Sequence, residues 1–391
     1  LKILTDNGDE KILCRSTVQA CKWSIRKNNN KNYWKIMINI PRKLRELHEC
    51  GEEAFFARIQ QDNQHPLFYS GKGYSLPKKF AWIEITLCYL KRFIYWKIRR
   101  CFYYEQYIVL YSLNRGRKFS SELSSYIKMI PPNDRFWADP FIIYESELYY
   151  VFIEEVTGES TKGHIAYFTI DRNGNNSVPK KIIERPYHMS YPFIFDYNNE
   201  YYMIPETGAN KTIELYKCID FPEKWEMIMT LMKDIEAYDV TLFKYSGKWW
   251  LFANVLENEG ASSLDELFLF YADDLLSGTW TPHMRNPVVS DVTSARPAGK
   301  IFIHNGNLYR PSQNSAHIYG YGVKINHIVM LTETEYKEEC VNAIEPFWDK
   351  NIIAVHTLNF ANDITIIDGL MRKSRFSSAS FRRIRKLLLR N

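Results

Sequence analysis

The sequence predicts an all-β fold, a five-bladed β-propeller with an N-terminal helical extension. Three observations support this prediction. Five similar hairpin units recur along the chain at intervals of roughly 50 to 60 residues, which is typical of propeller blades. Aromatic residues make up 15% of the chain and favour pleated sheet. From Gln106 onward, short strands and turns replace the helical pattern of the first part.

Residues 1–105 are predicted to form the N-terminal extension. Leu44 and Leu47 have helical spacing and predict a first helix of the extension. Gly51 is a plausible C-terminal stop for this helix. Residues 60–79 contain Gln, Asn, Gly and two Pro, so a linker is expected there.

Residues 80–100 are predicted to form a second helix of the extension. One face carries four apolar residues at helical spacing: Ile83, Leu87, Leu90 and Ile94. Its C-terminal end carries five basic residues: Lys91, Arg92, Lys97, Arg99 and Arg100. Two interpretations stay open. The helix lies on an anionic membrane, or it packs on the next domain with its basic end in solvent and favourable to the helix dipole.

Residues 106–370 are predicted to form the propeller. The five units begin at Asp139, Tyr191, Asp239, Arg296 and His356, and turn residues such as 304–306 (His-Asn-Gly) separate the two strands of a unit. No further strand is predicted after Asp368 in the last unit. The sheet of that unit would therefore have an exposed edge. Residues 106–112 form a good strand before the first unit. We therefore expect this strand to join the last blade and close the ring.

Residues 371–391 are predicted to form a basic C-terminal tail. Phe381, Ile384 and Leu388 share a helical face, and basic residues lie beside them. Residues 381–390 are therefore a second basic amphipathic candidate, which either binds a membrane or partner or is a solvated tail. Through this segment and residues 80–100, an anionic membrane surface is an expected partner.

Composition limits the other functions. The net charge is +6, and the basic stretches lie outside the propeller. They lack an RNA-binding aromatic signature, so no nucleic acid partner is expected. The seven cysteines are scattered without a CxxC, and no P-loop, dinucleotide fingerprint or HExxH occurs. We therefore expect no metal and no cofactor.

The expected location is cytoplasmic, peripheral at the inner membrane. The first 30 residues are polar and charged, unlike a signal peptide. No run of about 18 apolar residues predicts a spanning helix. The chain begins with Leu1, which would fit a segment missing upstream.

Residues that begin the innermost strands of a propeller converge at one mouth of its channel, and most of those here are ionisable. The predicted catalytic residues are Asp139, Glu206 and Asp239. The predicted substrate-binding residues are Arg135, Glu155, Tyr191, Arg296, Arg310, Gln313 and His356. Such a ring suits a ligand with many hydroxyl groups, and paired carboxylates are what glycosidic chemistry needs.

Structural alternatives remain for several of these residues. Asp139 precedes a proline and could simply cap a backbone turn. Arg296 and Asp239 could form a structural ion pair between neighbouring blades. Glu154 and Glu155 point to opposite faces of a strand, so at most one faces the channel.

Several motifs resemble one known family. They include SYPFIFDYNNEYYMIPET at 190–207, DVTLFKYSGKWWLFAN at 239–254 and SARPAGKIFIHNGNLYRPSQ at 294–313. Together they resemble the N-terminal propeller domain of glucosamine inositolphosphorylceramide transferases, over roughly residues 106–370. Bacterial relatives of that domain occur in surface-polysaccharide settings, often behind a formyltransferase-like domain. Residues 1–60 resemble the connecting stretch after such a domain.

More distantly, the chain resembles the five-bladed propellers of family 43 and family 32 glycoside hydrolases. That resemblance implies Asp139 as general base. Tyr191 stands where those enzymes have a second Asp, and the third inner strand opens with Asp239 where they supply the acid, with Glu206 nearby. The expected function is recognition or processing of a sugar or glycolipid in polysaccharide or glycolipid assembly, by glycosyl transfer or hydrolysis. The alternative is a non-catalytic glycan-binding or scaffold module for a separate transferase.

Overall fold

The structure is a computed structural model. It describes residues 1–4, 8, 10–63, 79–113, 123–158, 160, 162–258 and 260–375. The chain divides into two compact units: one has residues 1–16, 20–104 and 373–391, and the other has residues 17–19 and 105–372. The basic helix predicted at 381–390 lies outside the described residues. In the described part of the chain, no helix combines the length and the apolar character needed to cross a bilayer.

The first unit is mainly helical. It contains a two-stranded antiparallel sheet of β1 (Lys2–Leu4) and β2 (Glu10–Ile12), then α1 (Ile25–Cys50), α2 (Glu52–Asn63) and α3 (Lys79–Phe102). The Ser24 side chain accepts a hydrogen bond from the backbone N–H of Lys27 and caps α1. Gly51 has a φ of 79° and donates its N–H to the Leu47 carbonyl, so the stop predicted at this glycine is confirmed.

The second unit is a propeller of five antiparallel sheets, called blades 1 to 5 here. Before the first repeat lie β3 (Tyr103–Leu113) and β4 (Ile127–Met129). Blade 1 contains β5 (Arg135–Glu145), β6 (Leu148–Thr157), β7 (His164–Ile170) and β8 (Lys180–Ile183). Blade 2 contains β9 (Ser190–Tyr197), β10 (Glu200–Glu206), β11 (Thr212–Asp220) and β12 (Lys224–Lys233).

The next two blades follow the same order of strands. Blade 3 contains β13 (Ala237–Tyr245), β14 (Lys248–Val255), β15 (Leu267–Ala272) and β16 (Thr281–Pro282). Blade 4 contains β17 (Phe302–His304), β18 (Asn307–Asn314), β19 (Gly322–Leu331) and β20 (Tyr336–Ile344). The prediction of an all-β, five-bladed propeller with an N-terminal helical extension is confirmed.

Blade 5 is built from both ends of the propeller. Its late strands are β21 (Ile352–Ala354), β22 (Leu358–Ala361) and β23 (Ile364–Ser374). The sheet continues from β23 to β3 and then to β4, which come from before the first repeat. The prediction that an early strand joins the last blade is therefore confirmed. This exchange covers the edge that β23 would otherwise expose.

The closing strand is tightly packed. Ile108, Val109 and Leu110 are fully buried, and Leu110 shares an apolar cluster with residues of blades 4 and 5. Gly369 on β23 leaves the space that Leu110 fills, because a Cβ at that glycine would lie 2.8 Å from Leu110 Cδ1. Ring closure therefore depends on side-chain packing as well as on strand pairing.

Replacing Leu110 by Ala is expected to lower the free energy of unfolding by about 2–5 kcal/mol, because it leaves a cavity beneath the closing strand. Urea denaturation measures this. Val178, which is 86% exposed, provides the control, and Val178→Ala should change stability by less than about 0.5 kcal/mol. Equal effects of the two substitutions would contradict a packed closure at β3.

Candidate functional site

Three of the inner strands have the same unusual backbone in their first half. Asp139, Tyr191 and Asp239 have φ values of 51°, 44° and 51°, in the left-handed region that non-glycine residues seldom adopt. The ladders of these strands shift register beside them, as bulges do. A bulge re-aims a side chain, and backbone strain of this kind is often found at functional sites. The repeated bulge places these three residues around the axis.

Carboxylates link three pairs of neighbouring blades. Asp368 accepts a hydrogen bond from the backbone N–H of Asp139 at 3.0 Å, and Asp139 accepts one from that of Tyr191 at 3.3 Å. Glu206 accepts one from the N–H of Asp239 at 3.1 Å. Each carboxylate thus caps the start of the next inner strand. The capping role considered for Asp139 is present, and it joins two blades instead of closing a local turn.

On the side of blade 4, Arg296 binds two carboxylates. Its Nε and Nη2 donate to the two oxygens of Asp239 at 2.5 and 3.0 Å, and Nη2 also donates to Glu206 Oε2 at 3.3 Å. Gln313 donates from Nε2 to Asp239 Oδ2 at 2.7 Å. Only 6% of Arg296 is exposed, so this bidentate pair is largely desolvated. The expected ion pair between blades is present and also reaches Glu206.

On the side of blade 5, His356 lies between two carboxylates. Its Nδ1 is 2.5 Å from Asp368 Oδ2, and its Nε2 is 3.5 Å from Asp139 Oδ1. Thr357 donates from Oγ1 to Asp139 Oδ1 at 2.6 Å. Burial alone would lower the pKa of His356, but Asp368 and Asp139 raise the pKa to about 9. The imidazole is therefore a cation at neutral pH. We call Asp139, Glu206, Asp239, Arg296, His356 and Asp368 the axial cluster.

Burial raises the pKa of three carboxyl groups in and beside the axial cluster. Burial raises the pKa of Asp139 to about 6, against the lowering effect of His356. Burial and then the charge of Asp239 raise the pKa of Glu206 well above its usual value. Burial and the charge of Asp139 do the same for Glu154. Burial thus favours the protonated form of all three carboxyl groups, while the cations His356 and Arg296 favour the ionised forms of Asp139 and Glu206.

Asp139, His356 and Asp368 also form a group that could hold a metal ion. Each offers one ligand atom, and the three atoms lie within 4.8 Å of one another. A metal binds a neutral imidazole, so it would have to displace the proton that His356 holds with a pKa of about 9. In this arrangement His356 itself supplies the positive charge between the two carboxylates.

Tyrosines from three blades surround the cluster. Tyr107 stacks on His356 with ring centroids 4.9 Å apart, and Tyr319 meets the same ring edge-on at 5.3 Å. The Arg296 guanidinium lies 5.3 Å from the ring centroid of Tyr238 and 5.2 Å from that of Tyr319. Tyr319 is 38% exposed, and the other two tyrosines are half-buried. Partly exposed rings beside buried charges suit the apolar and hydroxyl faces of a sugar.

Two predicted residues on blade 1 lie in a different network. Glu155 Oε1 accepts a hydrogen bond from Trp137 Nε1 at 2.9 Å, and its Oε2 is 3.1 Å from His164 Nε2. Arg135 pairs with Asp134 and with Glu155. Neither Arg135 nor Glu155 has a bond to the axial cluster. Instead Glu154, the neighbour on the opposite face of β6, is close enough for Asp139 to raise its pKa.

Two further predicted residues are part of the framework. Tyr191 is fully buried; its hydroxyl accepts a hydrogen bond from the Gly299 N–H at 2.8 Å and lies 2.9 Å from Thr241 Oγ1. It therefore connects blade 2 to blades 3 and 4 across the axis. Arg310 is also fully buried and forms a bidentate pair with Glu338 on the outer strand of blade 4. This pair holds two strands of one blade together.

The raised pKa of His356 predicts a dependence of stability on pH. Because the folded value of about 9 lies above the unfolded value of 6.5, the stabilisation is complete below pH 6.5 and lost as pH rises through 9. Over that window the free energy of unfolding should fall by on the order of 3 kcal/mol more for the wild type than for His356→Asn. Urea titrations at both pH values measure the difference.

The exposed His304 provides the control. His304→Asn should keep the wild-type pH dependence. If His356→Asn also kept it, the charge of His356 would not be coupled to folding.

Known proteins resemble this chain in sequence. Residues 125–352 match the family described as glucosamine inositolphosphorylceramide transferase 1, N-terminal. The glucosamine inositolphosphorylceramide transferase 1 of Oryza sativa subsp. japonica is 36% identical over 210 residues, which are 53% of this chain and 28% of that protein. That of Arabidopsis thaliana is 32% identical over 212 residues, 54% of this chain and 27% of that protein. The chain thus spans little more than a quarter of the length of these relatives.

Solved structures with a related arrangement are glycoside hydrolases of low sequence identity. The family 117 glycoside hydrolase Zg3597 of Zobellia galactanivorans has a TM-score of 0.44 and 13% identity, covering 68% of this chain and 91% of that one. The catalytic domain of the Coprinopsis cinerea GH62 α-L-arabinofuranosidase has a TM-score of 0.44 and 10% identity, covering 62% and 92%.

Proposed function

We propose a function on the premise that the chain belongs to the family of the N-terminal domain of glucosamine inositolphosphorylceramide transferase 1. The propeller recognises or processes a sugar or glycolipid at the axial cluster, in the assembly of a surface polysaccharide or glycolipid. The reaction would be glycosyl transfer or hydrolysis. The names of the relatives mention a glucosamine and an inositolphosphorylceramide, so glycans that contain these groups are the first ligands to test.

The observation that carries the proposal is the pair of buried carboxyl groups Asp139 and Glu206, whose pKa values burial raises and which lie beside the cations His356 and Arg296. A protonated carboxyl can give its proton to the leaving oxygen as the glycosidic C–O bond breaks. An ionised carboxylate can accept the proton of the attacking hydroxyl as the new C–O bond forms. In hydrolysis the attacking group is water, and in transfer it is an acceptor hydroxyl. Glu206 fits the acid and Asp139 fits the base.

The other members of the axial cluster have supporting roles in this scheme. The charge of Asp239 raises the pKa of Glu206 and so favours its acid form. Asp239 thereby takes the tuning role for which the family 43 pattern has a second Asp, while Tyr191 lies in the framework. Arg296 and His356 place two positive charges beside the carboxylates, where they would hold hydroxyl or anionic groups of the substrate.

A non-catalytic module is the second candidate, favoured by one observation. Both oxygens of Asp139 are already bonded, one to Thr357 and one to the Tyr191 N–H, and only 4% of the residue is exposed. A carboxylate tied into the framework in this way is a poor base. In this case the propeller would bind a glycan and present it to a separate transferase. For both candidates, the catalyst and the binding module, a glycolipid ligand would hold the protein at a membrane surface. The proposed location is cytoplasmic, peripheral at the inner membrane.

A saccharide array followed by product analysis separates these candidates. The purified chain is tested for binding, and each bound saccharide is then incubated with it and followed by NMR for a new or broken glycosidic bond. Binding with turnover supports the catalyst. Binding without turnover supports the module. If no saccharide binds, both candidates are wrong.

Saccharides that bind the wild type in the array are called array-positive here. Tyr319→Ala is expected to weaken binding of such a saccharide by roughly tenfold, because the exposed ring beside the cluster is lost. Calorimetric titration measures the affinity. Tyr245 is a matched control, since it is 39% exposed and lies at the far end of β13 from Asp239. Tyr245→Ala should bind like the wild type. Equal loss in both variants would contradict a site at the axial cluster.

A further inference from the structure

The helix α3 exposes an apolar stripe that the axial site does not use. The stripe consists of Ile83, Leu87, Leu90, Ile94 and Ile98, each between 48% and 60% exposed. Their spacing places them on one face of the helix over about 22 Å. Aromatic residues beside the stripe are exposed as well: Trp82, Phe93, Tyr95 and Phe102. We call the five aliphatic residues the α3 stripe.

The opposite face of α3 packs within its own unit. The half-buried residues of that face are Ala81, Ile85, Tyr89, Trp96 and Arg99. Trp96 lies 6.1 Å from Trp23, measured between ring centroids. A groove of about 510 Å³ lies between Trp23 and α3, and its lining includes Leu90 of the α3 stripe as well as Tyr89 and Trp96. The residues described in the first unit therefore leave about half of each side chain in the α3 stripe exposed.

The helix is strongly basic. Residues 79–102 hold six basic residues and one acid, Glu84. The structure adds Arg375 to the same end, where its backbone N–H donates to the Phe102 carbonyl at 2.8 Å and its Nε to the Arg100 carbonyl at 3.2 Å. Lys373 and Arg375 both lie over the Tyr104 ring. Cations from two distant segments thus collect at the C-terminal end of α3, where they also favour the helix dipole.

We propose that α3 docks on an anionic lipid membrane, with the α3 stripe among the acyl chains and its basic end at the lipid phosphates. A long aliphatic stripe beside positive charge is what an interfacial helix needs, and exposed Trp and Tyr suit the headgroup level. The positive charge of α3 favours an anionic membrane over a second copy of the chain as the partner of the stripe. A second copy of the chain would bring another basic helix against the first, and like charges at such a contact are costly.

Vesicle co-sedimentation of the full chain tests this proposal. Phosphatidylcholine vesicles are compared with vesicles that also contain phosphatidylglycerol, at about 0.1 M and about 1 M salt. We expect sedimentation with the anionic vesicles at low salt, and weaker sedimentation at high salt. Lys91→Gln and Lys97→Gln should each lower partitioning onto anionic vesicles by roughly fivefold. These vesicles carry no sugar, so the result is independent of the axial site.

The apolar contribution is tested by a matched pair of variants. Ile94→Asp puts a charge in the α3 stripe and should lower partitioning by roughly tenfold or more. Cys88→Asp adds the same charge at an exposed position of the same helix outside the stripe, and should lower it far less. Circular dichroism checks that both variants are folded.

Three results would overturn the proposal. One is the absence of wild-type sedimentation with anionic vesicles at low salt. Another is an equal loss in Ile94→Asp and Cys88→Asp, which would mean that the stripe does not insert. The third is a wild-type dimer that Ile94→Asp converts to a monomer, because the stripe would then be covered by a second copy.

Discussion

Replacing Arg296 by Met is expected to lower the free energy of unfolding by about 3–5 kcal/mol, because it leaves buried carboxylates without their cation. Arg296 donates three hydrogen bonds to Asp239 and Glu206, and it is 6% exposed. Urea denaturation measures the loss. The exposed Arg172, which pairs with Glu147, provides the control, and Arg172→Met should leave the unfolding curve unchanged. If Arg296→Met were as stable as this control, the cluster would not hold the blades together.

Replacing Asp139 by Asn is expected to lower turnover of an array-positive saccharide by roughly 10²–10⁴-fold, because it removes the general base. The affinity for that saccharide should change little, since Asn keeps the shape of the side chain. For the wild type, activity should fall as pH drops below about 6, where Asp139 becomes protonated. Stopped assays by NMR measure turnover, and calorimetry measures affinity.

Asp171 provides a matched control for Asp139. It lies on blade 1 in an exposed turn, where its side chain accepts hydrogen bonds from the N–H groups of Asn173 and Asn175. Asp171→Asn should keep wild-type turnover. Wild-type turnover in Asp139→Asn would contradict the base role. If the wild type binds saccharide without turning it over and Asp139→Asn binds equally well, the chain is a binding module.

Much of the fold could be predicted because the repeat is visible in the sequence. Each unit begins with a polar residue, in most units an ionisable one, directly before an apolar strand. Because the units repeat at a regular interval, these residues are expected around one axis. The repeat therefore predicts that Asp139, Asp239, Arg296 and His356 lie close together, and the structure joins them in one cluster. The closing strand could be predicted too, since the last unit lacks strands and a good strand precedes the first.

Residues that depend on ring closure or on a bulge could not be predicted. Tyr107 lies on the closing strand, so its stacking on His356 results from the exchange in blade 5. Asp368 meets His356 through the hairpin of β22 and β23, and this contact depends on the side-chain direction on β23. Whether Glu154 or Glu155 turns to the axis is decided by the bulge beside Asp139, because sequence parity leaves both open.

The partner of Arg310 could not be predicted either. Glu338 lies two strands later, and its pairing with Arg310 follows from the register of blade 4. Arg310 lies on the second strand of its unit, as Glu206 lies on that of blade 2. Position in a repeat therefore indicates the level along the axis but not the direction of a side chain.

The most direct test of the saccharide site is a titration of an array-positive saccharide into three proteins: the wild type, Arg296→Lys and Arg310→Lys. Both variants keep a positive charge and lose the planar fork of a buried arginine, so they differ mainly in location. The account predicts that Arg296→Lys weakens binding by roughly tenfold or more while Arg310→Lys binds like the wild type. Wild-type affinity in Arg296→Lys, or an equal loss in both variants, would contradict a saccharide site at the axial cluster.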